Sequence, residues 1–292
     1  MEWSNVLTPI PDTVDRRLVV DAGFLSLLAW ILVGIHVLVP SSVQTQLAFD
    51  HGAFISWTLW THTYVHAGWS HLLQNVGGFV AIAGVAYILC RVLDARRWFW
   101  VSTVAFLTVL PVLVSLSSYV LLGWFAPAAT PVERGFSGVV AGFAGLIFVA
   151  FLVWVNREVG LAVTQAVGQM AVLLMLWELS VIYAGWINVR VTALVAFGIA
   201  LSWVLLLRAV SVRDIWDRRQ AWWTELWLAM GVGIVLLTVV VALFPADPVS
   251  DGTFTNIFAH GAGFVWGGIV AGGAWQGIRR WLKIGITHAV RS

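Results

Sequence analysis

Apolar residues in this chain fall in long blocks, and eight blocks reach bilayer-spanning length: 18–39, 71–90, 98–122, 137–155, 161–183, 191–207, 222–244 and 255–277. A helix rises 1.5 Å per residue, so about 20 apolar residues cross the hydrocarbon core. Inside lipid every backbone polar group needs an internal partner, and a helix supplies all of them within one segment. The pattern therefore predicts an all-α polytopic membrane protein with about eight spans. The intervening segments are too short to fold separately, so residues 1–292 read as one transmembrane domain without repeats or low-complexity tracts. Pro111 lies inside the third block, where its missing N–H predicts a kink.

Composition and charge add orientation. Of 292 residues, 60% are hydrophobic and 10% charged, more apolar surface than a soluble domain can hide. With a cytoplasmic N-terminus, the inner segments carry Arg16, Arg17, Arg91, Arg96, Arg97, Arg157, Arg208, Arg213, Arg218, Arg219, Arg279, Arg280, Lys283 and Arg291. The outer segments carry only Arg134 and Arg190. This asymmetry places both termini inside and makes the number of spans even. A multi-pass protein of the cell membrane is expected. The basic groups sit at helix ends rather than on one face, so the net charge of +2 gives no basis for nucleic-acid binding. The 19 Trp residues suit interfacial belts. The first block is longer than a secretory core and lacks a small-x-small cleavage site, so it is expected to stay as a span. Cys90 is the single cysteine and excludes an intrachain disulfide.

This topology gathers polar residues at one end of the bundle. The blocks opening at His71 and Ser137, and the one that holds His260, all run inward from the outer face, which sets His71, Asn75, Ser137 and His260 at similar depth. Polar side chains at membrane depth tend to be functional and to face a protein interior or a wet cavity. Serine with histidine is the minimal pair for an activated hydroxyl. His71 and Asn75 are four apart on one helix face and offer donors suited to an oxyanion, together with the backbone N–H of Ser137. Each residue also has a structural reading: Ser137 as an N-cap, His71 and Asn75 as interfacial packing, His260 as a buried histidine bonded to a backbone carbonyl. Gly135, Gly138, Gly142 and Gly145 on one block, and Gly263 and Gly267 on another, form small-residue stripes. Such stripes let membrane helices meet at their backbones, which would bring Ser137 to His260.

In order along the chain, the segment carries His66-x4-His71-x3-Asn75, then Gly135-Phe136-Ser137-Gly138, then Ala259-His260-x-x-Gly263-x-x-x-Gly267. These three patterns resemble the rhomboid family of intramembrane serine proteases over roughly 57–145 and 245–277. The resemblance implies a six-helix core, a Ser–His dyad of Ser137 and His260, and oxyanion stabilisers His71 and Asn75. It also implies a structural role for His66, no cofactor and no metal, and single-span membrane proteins as substrates, within the lipid bilayer. The chain departs from the family pattern in three places. Three blocks rather than one separate the Ser and His helices, so two spans are additional. Trp57-Thr58 stands where a Trp-Arg pair is common in the first loop. Ala141 replaces an aromatic residue one turn after the serine, so the base is expected to be held differently.

Asp247 and Asp251 precede His260 but take no role in a dyad, and Glu178 within the fifth block is expected to serve at the interface or in helix packing, with a functional carboxylate as the alternative. The segments 40–70 and 245–254 are candidate gates. One rival reading is a catalytically silent rhomboid-like protein that binds membrane clients. Another is a transporter or metal site using His62 and His66, which are four apart, but no carboxylate or cysteine completes a ligand set.

Overall fold

In the computed structural model, residues 16–125, 131–209, 219–247, 249–250 and 253–289 are described. Helix α1 (Arg16–Leu38) is followed by a short α2 (Ser41–Leu47), strand β1 (Phe49–Asp50), a one-turn α3 (Thr58–Thr61) and a 3-10 turn over His62–Tyr64. Then come α4 (Trp69–Val92), α5 (Arg96–Thr108), α6 (Leu110–Phe125), β2 (Val132–Glu133), α7 (Ser137–Val159), α8 (Leu161–Ala184) and α9 (Val189–Ala209). The chain ends in α10 (Arg219–Leu243), β3 (Val249–Ser250), β4 (Thr253–Phe254) and α11 (Ile257–Ala289). Among the described residues seven helices are long and apolar enough to span a bilayer, and α5 with α6, taken as one bent span, make eight. The protein is thus an all-α polytopic membrane protein, and its spans coincide with the eight apolar blocks. The last helix runs further than the block that announced it, to Ala289.

The third span bends by 50° between α5 and α6. The cause is Pro111: it has no N–H to donate to Leu107, four residues back, so that carbonyl is released from the helix ladder. The first loop takes it up. Trp60 Nε1 donates to Leu107 O at 3.1 Å, and the Tyr64 hydroxyl donates to the same oxygen. The loop is therefore tied to the bend, although the Trp57-Thr58 pair lacks a cation. Burial pushes the Tyr64 phenol up to about 12, so it stays a donor throughout the physiological range.

Helix α7 is the centre of the bundle: 72% of its most apolar window is enclosed, against 11% for α8 and for α9. It packs against α11, α4, α10 and α8. Its contact with α11 is made by backbone. A Cβ on Gly263 would run into Gly138 O, one on Gly267 into the Gly142 backbone, and one on Gly145 into the Phe264 carbonyl. Helices α8 and α9 form a hairpin with its own polar ties, Trp177 Nε1 to Thr192 Oγ1 at 3.0 Å and Ser202 Oγ to Gln169 Oε1 at 3.2 Å. Glu178 is half-buried on α8 with its Oε2 unpartnered.

At the Arg-rich end, Asp21 of α1 is wholly buried. It accepts from Arg96 Nε at 2.6 Å and Nη2 at 2.5 Å, from the Tyr87 hydroxyl at 2.6 Å and from Trp100 Nε1 at 3.1 Å. Four donors satisfy the carboxylate and fasten α1 to α4 and α5, the condition under which a buried charge is tolerated.

Replacing Gly267 by Val should lower the stability of the detergent-solubilised protein by about 1–3 kcal/mol or more, because the clash is with backbone that no rotamer change relieves. Gly84 of α4 has nothing within 4 Å of an added Cβ, so Gly84→Ala should leave the thermal midpoint unchanged or raised. Equal midpoints for the two variants in differential scanning fluorimetry would contradict the backbone contact.

Candidate active site

Ser137 is the first residue of α7, and the preceding Phe136 already has helical backbone angles. Phe136 rather than Ser137 is thus the cap position, and it makes no side-chain cap bond. The hydroxyl of Ser137 is left for another partner, which is His260: Ser137 Oγ and His260 Nε2 lie 2.8 Å apart. His260 is buried on the first turns of α11. Its Nδ1 faces the Leu243 carbonyl at the C-terminus of α10 in a close hydrogen bond. A carbonyl only accepts, so Nδ1 carries the ring proton and Nε2 presents its lone pair to the serine hydroxyl. The backbone-bonded histidine and the serine partner are thus one residue, with one nitrogen for each role. Phe244 stands edge-on to the imidazole, with ring centroids 6.2 Å apart and planes at 90°. These contacts hold the imidazole where Ala141 offers no aromatic ring. Both ring nitrogens of His260 are engaged, one by Leu243 and one by Ser137, and Asp251 lies outside the described residues.

Gly135 sets the approach to Ser137. Its φ is +114°, and a Cβ there would come within 2.6 Å of the His71 ring and 3.6 Å of Asn75 Nδ2. Both conditions require glycine. They also place His71 and Asn75 against the chain two residues before Ser137, as the shared depth predicts. Gly135 N–H donates to His62 O at 3.1 Å and Gly135 O accepts from Thr63 Oγ1 at 3.4 Å, so the 3-10 turn fixes this strand. Asn75 Nδ2 donates to His71 O at 2.7 Å, while its buried Oδ1 has no partner. His66 packs edge-on to His71, ring centroids 5.3 Å apart. Gly138, Gly263 and Gly267 lie in the α7–α11 contact.

One residue of this region carried no signal in the sequence reading. Glu133, four residues before Ser137, is buried at 7% exposure. Its Oε1 is 2.7 Å from His51 Nε2, accepts from Ser118 Oγ at 2.5 Å, and accepts from Asn256 Nδ2. His62 Nε2 lies 3.9 Å from Oε2. Asn256 Oδ1 in turn accepts from Ala259 N–H at 3.1 Å, capping α11 one turn before His260. One carboxylate therefore ties the strand leading to the serine, the first loop, α6 and the start of the histidine's helix. β1 pairs antiparallel with β2 across the same point, Phe49 opposite Glu133. His62 is turned into this network and His66 away from it, toward His71. Among the described residues no group of three or more His, Cys, Asp or Glu is arranged to hold a metal ion.

The arrangement as a whole can do one kind of chemistry. A hydroxyl sits within proton-transfer distance of an imidazole in the accepting tautomer. The Ser137 and Gly138 N–H groups open α7, while those of Val139 and Val140 turn back to Phe136 O, and the His71–Asn75 pair borders Gly135 two residues before the serine; such donors suit a developing oxyanion. No family model matches the chain, and neither a curated protein nor a solved structure matches it.

Burial drives the His66 imidazole down to about 3, with His71 and His36 adding to the effect, and burial likewise lowers His62. Both rings are neutral in the folded protein. Below about pH 6.5 the unfolded chain binds protons that the folded rings refuse. Stability should therefore fall with decreasing pH, by about 1.4 kcal/mol per unit for each such histidine. His66→Asn should flatten the dependence of unfolding free energy on pH between 6.5 and 4; an unchanged slope would contradict the neutral assignment. Glu133→Ala should destabilise by about 1–3 kcal/mol through the buried donors it strands, with Glu133→Gln losing less. Chemical denaturation in mild detergent measures both.

Proposed function

We propose that this protein is an intramembrane serine endopeptidase of the rhomboid type. The observation that carries the reading is the Ser137 Oγ–His260 Nε2 contact at 2.8 Å, with the histidine's other nitrogen committed to a backbone carbonyl. His260 takes the Ser137 proton as the hydroxyl attacks a substrate carbonyl. His71, Asn75 and the Ser137 N–H stabilise the resulting oxyanion. His260 then returns the proton to the leaving amine, and water hydrolyses the acyl-enzyme in a second passage through the same groups. Glu133 and Leu243 act through other residues: the first positions the two helix starts, the second fixes the tautomer.

The six-helix core of this reading consists of α1, α4, the α5–α6 span, α7, α10 and α11. Helix α10 belongs to it because its end holds the base, and the α8–α9 hairpin is the additional pair. The outer end of the bundle is the one bearing the first loop, so the site opens to the cell exterior, and both termini are cytoplasmic. The substrates are single-span membrane proteins whose helices unwind locally to present a peptide bond.

A fluorophosphonate probe tests the activated serine directly. Wild-type protein in detergent should label at Ser137, and labelling should be lost in Ser137→Ala and reduced at least about 100-fold in His260→Ala, the range expected for removing a general base. Undiminished labelling of Ser137→Ala would overturn the proposal. A wild-type protein that stays unlabelled yet retains a membrane client would point to the non-cutting, client-binding reading.

A further inference from the structure

A polar cavity lies against His66, whose ring packs on His71. It has a volume of about 360 Å³ and is walled by His36, Pro40, Gln44, His66, Ala67 and Arg134, with no acidic residue in its lining. Its wall is fixed in place: Gln44 Nε2 donates to Val39 O at 2.8 Å and to His36 O at 3.1 Å, holding α2 against the end of α1. His66 is 2% exposed, and both of its ring nitrogens are buried without a partner. His36 Nδ1 is buried and unpartnered as well. Arg134 is half-buried and forms no hydrogen bond or ion pair among the described residues. Its neighbour Glu133 is engaged elsewhere, with His51, Ser118 and Asn256.

A partly desolvated guanidinium without a counter-ion is unfavourable until an anion reaches it. This one is also one of only two cations in the outer segments, where basic residues are otherwise missing. Arg134 presents a fork suited to a carboxylate, and a neutral His66 supplies one N–H donor. A chain of contacts runs from this cavity toward Ser137. The His66 ring packs on His71, whose ring borders Gly135. From Arg134 to Ser137 is three residues, at most about 10 Å of chain.

We propose that this cavity is an anion subsite of the same active site, taking an Asp or Glu side chain of the substrate a few residues from the bond presented to Ser137, with Arg134 as its ion-pair partner. The proposal rests on the serine-protease reading. In that reading a polypeptide presented to Ser137 comes within three residues of Arg134 along the chain, which ties a substrate carboxylate, rather than a lipid headgroup, to the reaction. The substrate class is thereby narrowed to membrane proteins with an acidic residue at one fixed position beside the cleaved bond.

Binding to the Ser137→Ala protein tests the subsite without relying on turnover. The probes are single-span model proteins with one Asp moved stepwise through the outer juxtamembrane segment, each paired with its Asn counterpart. At one position Asp should bind at least tenfold tighter than Asn. That preference should vanish in Ser137→Ala/Arg134→Ala and persist in part in Ser137→Ala/Arg134→Lys. Arg134→Glu on the same background should prefer Lys at that position, an outcome that misfolding would not produce. Absence of an Asp preference at every position, or its persistence without Arg134, would overturn the subsite. So would a preference abolished by phosphatidylglycerol in phosphatidylcholine vesicles, which would assign the cation to lipid phosphate. Fluorophosphonate labelling of the wild type is read separately: a labelled serine with no Asp preference removes the subsite alone, and an unlabelled one removes the protease reading.

Discussion

The structure depends on the backbone contact between α7 and α11. Gly145 on one helix and Gly263 and Gly267 on the other lie so close to the facing backbone, which Gly138 and Gly142 help to supply, that no side chain fits at those three positions. In lipid there is no hydrophobic drive to press two apolar helices together, so the pair is held by close packing that only small residues allow. The same contact sets the distance between the helix starts. Ser137 opens α7 and His260 lies on the first turns of α11, so packing the stripes side by side puts hydroxyl and imidazole within hydrogen-bond reach. A larger residue at Gly145, Gly263 or Gly267 would separate the helices and the two polar groups together.

The loops complete this geometry by exploiting groups that the helices leave unsatisfied. Pro111 breaks the ladder of the third span, and the freed Leu107 carbonyl becomes the anchor of the first loop through Trp60 and Tyr64. That loop then holds Gly135 through the His62 carbonyl and meets Glu133 through His51. Asp21 at the other end works by a similar rule, with four donors around one carboxylate. The two carboxylates differ in one respect. Asp21 is paired with a cation, whereas Glu133 is met by Ser118, Asn256 and the histidines His51 and His62. The network at Glu133 joins elements that enter the site, while the one at Asp21 joins elements remote from it.

Much of this was legible in the sequence because it is written in short-range patterns. Apolar blocks of spanning length gave the helices, Pro111 gave the bend, and the glycine spacings gave the α7–α11 contact. What was illegible depends on groups that no local pattern encodes. Glu133 finds its partners 15, 82 and 123 residues away, and before folding it is one carboxylate in a loop. Leu243 acts through its carbonyl, so its side chain gives no hint. Hydropathy also could not separate α8 and α9 from α10, because each contains an apolar window long enough to span. Only packing distinguishes a hairpin that turns most of its surface to lipid from a helix whose end reaches His260.

The end of α10 also explains how a serine–histidine pair can stand without a carboxylate behind it. The last four carbonyls of a helix lack intrahelical donors, and they carry the negative end of the helix dipole. Leu243 is the final residue of α10, and its carbonyl is the one that receives His260 Nδ1–H. An imidazolium formed at His260 would therefore face a partial negative charge equivalent to about half an electron, worth up to about 2 kcal/mol in a partly buried setting. A full carboxylate at the same place would bring a desolvation cost of several kcal/mol and would need further donors of its own. Using a helix terminus fixes the tautomer and stabilises the protonated ring without burying a charge. It also makes α10, the span that hydropathy alone leaves undistinguished, the one whose position governs the histidine.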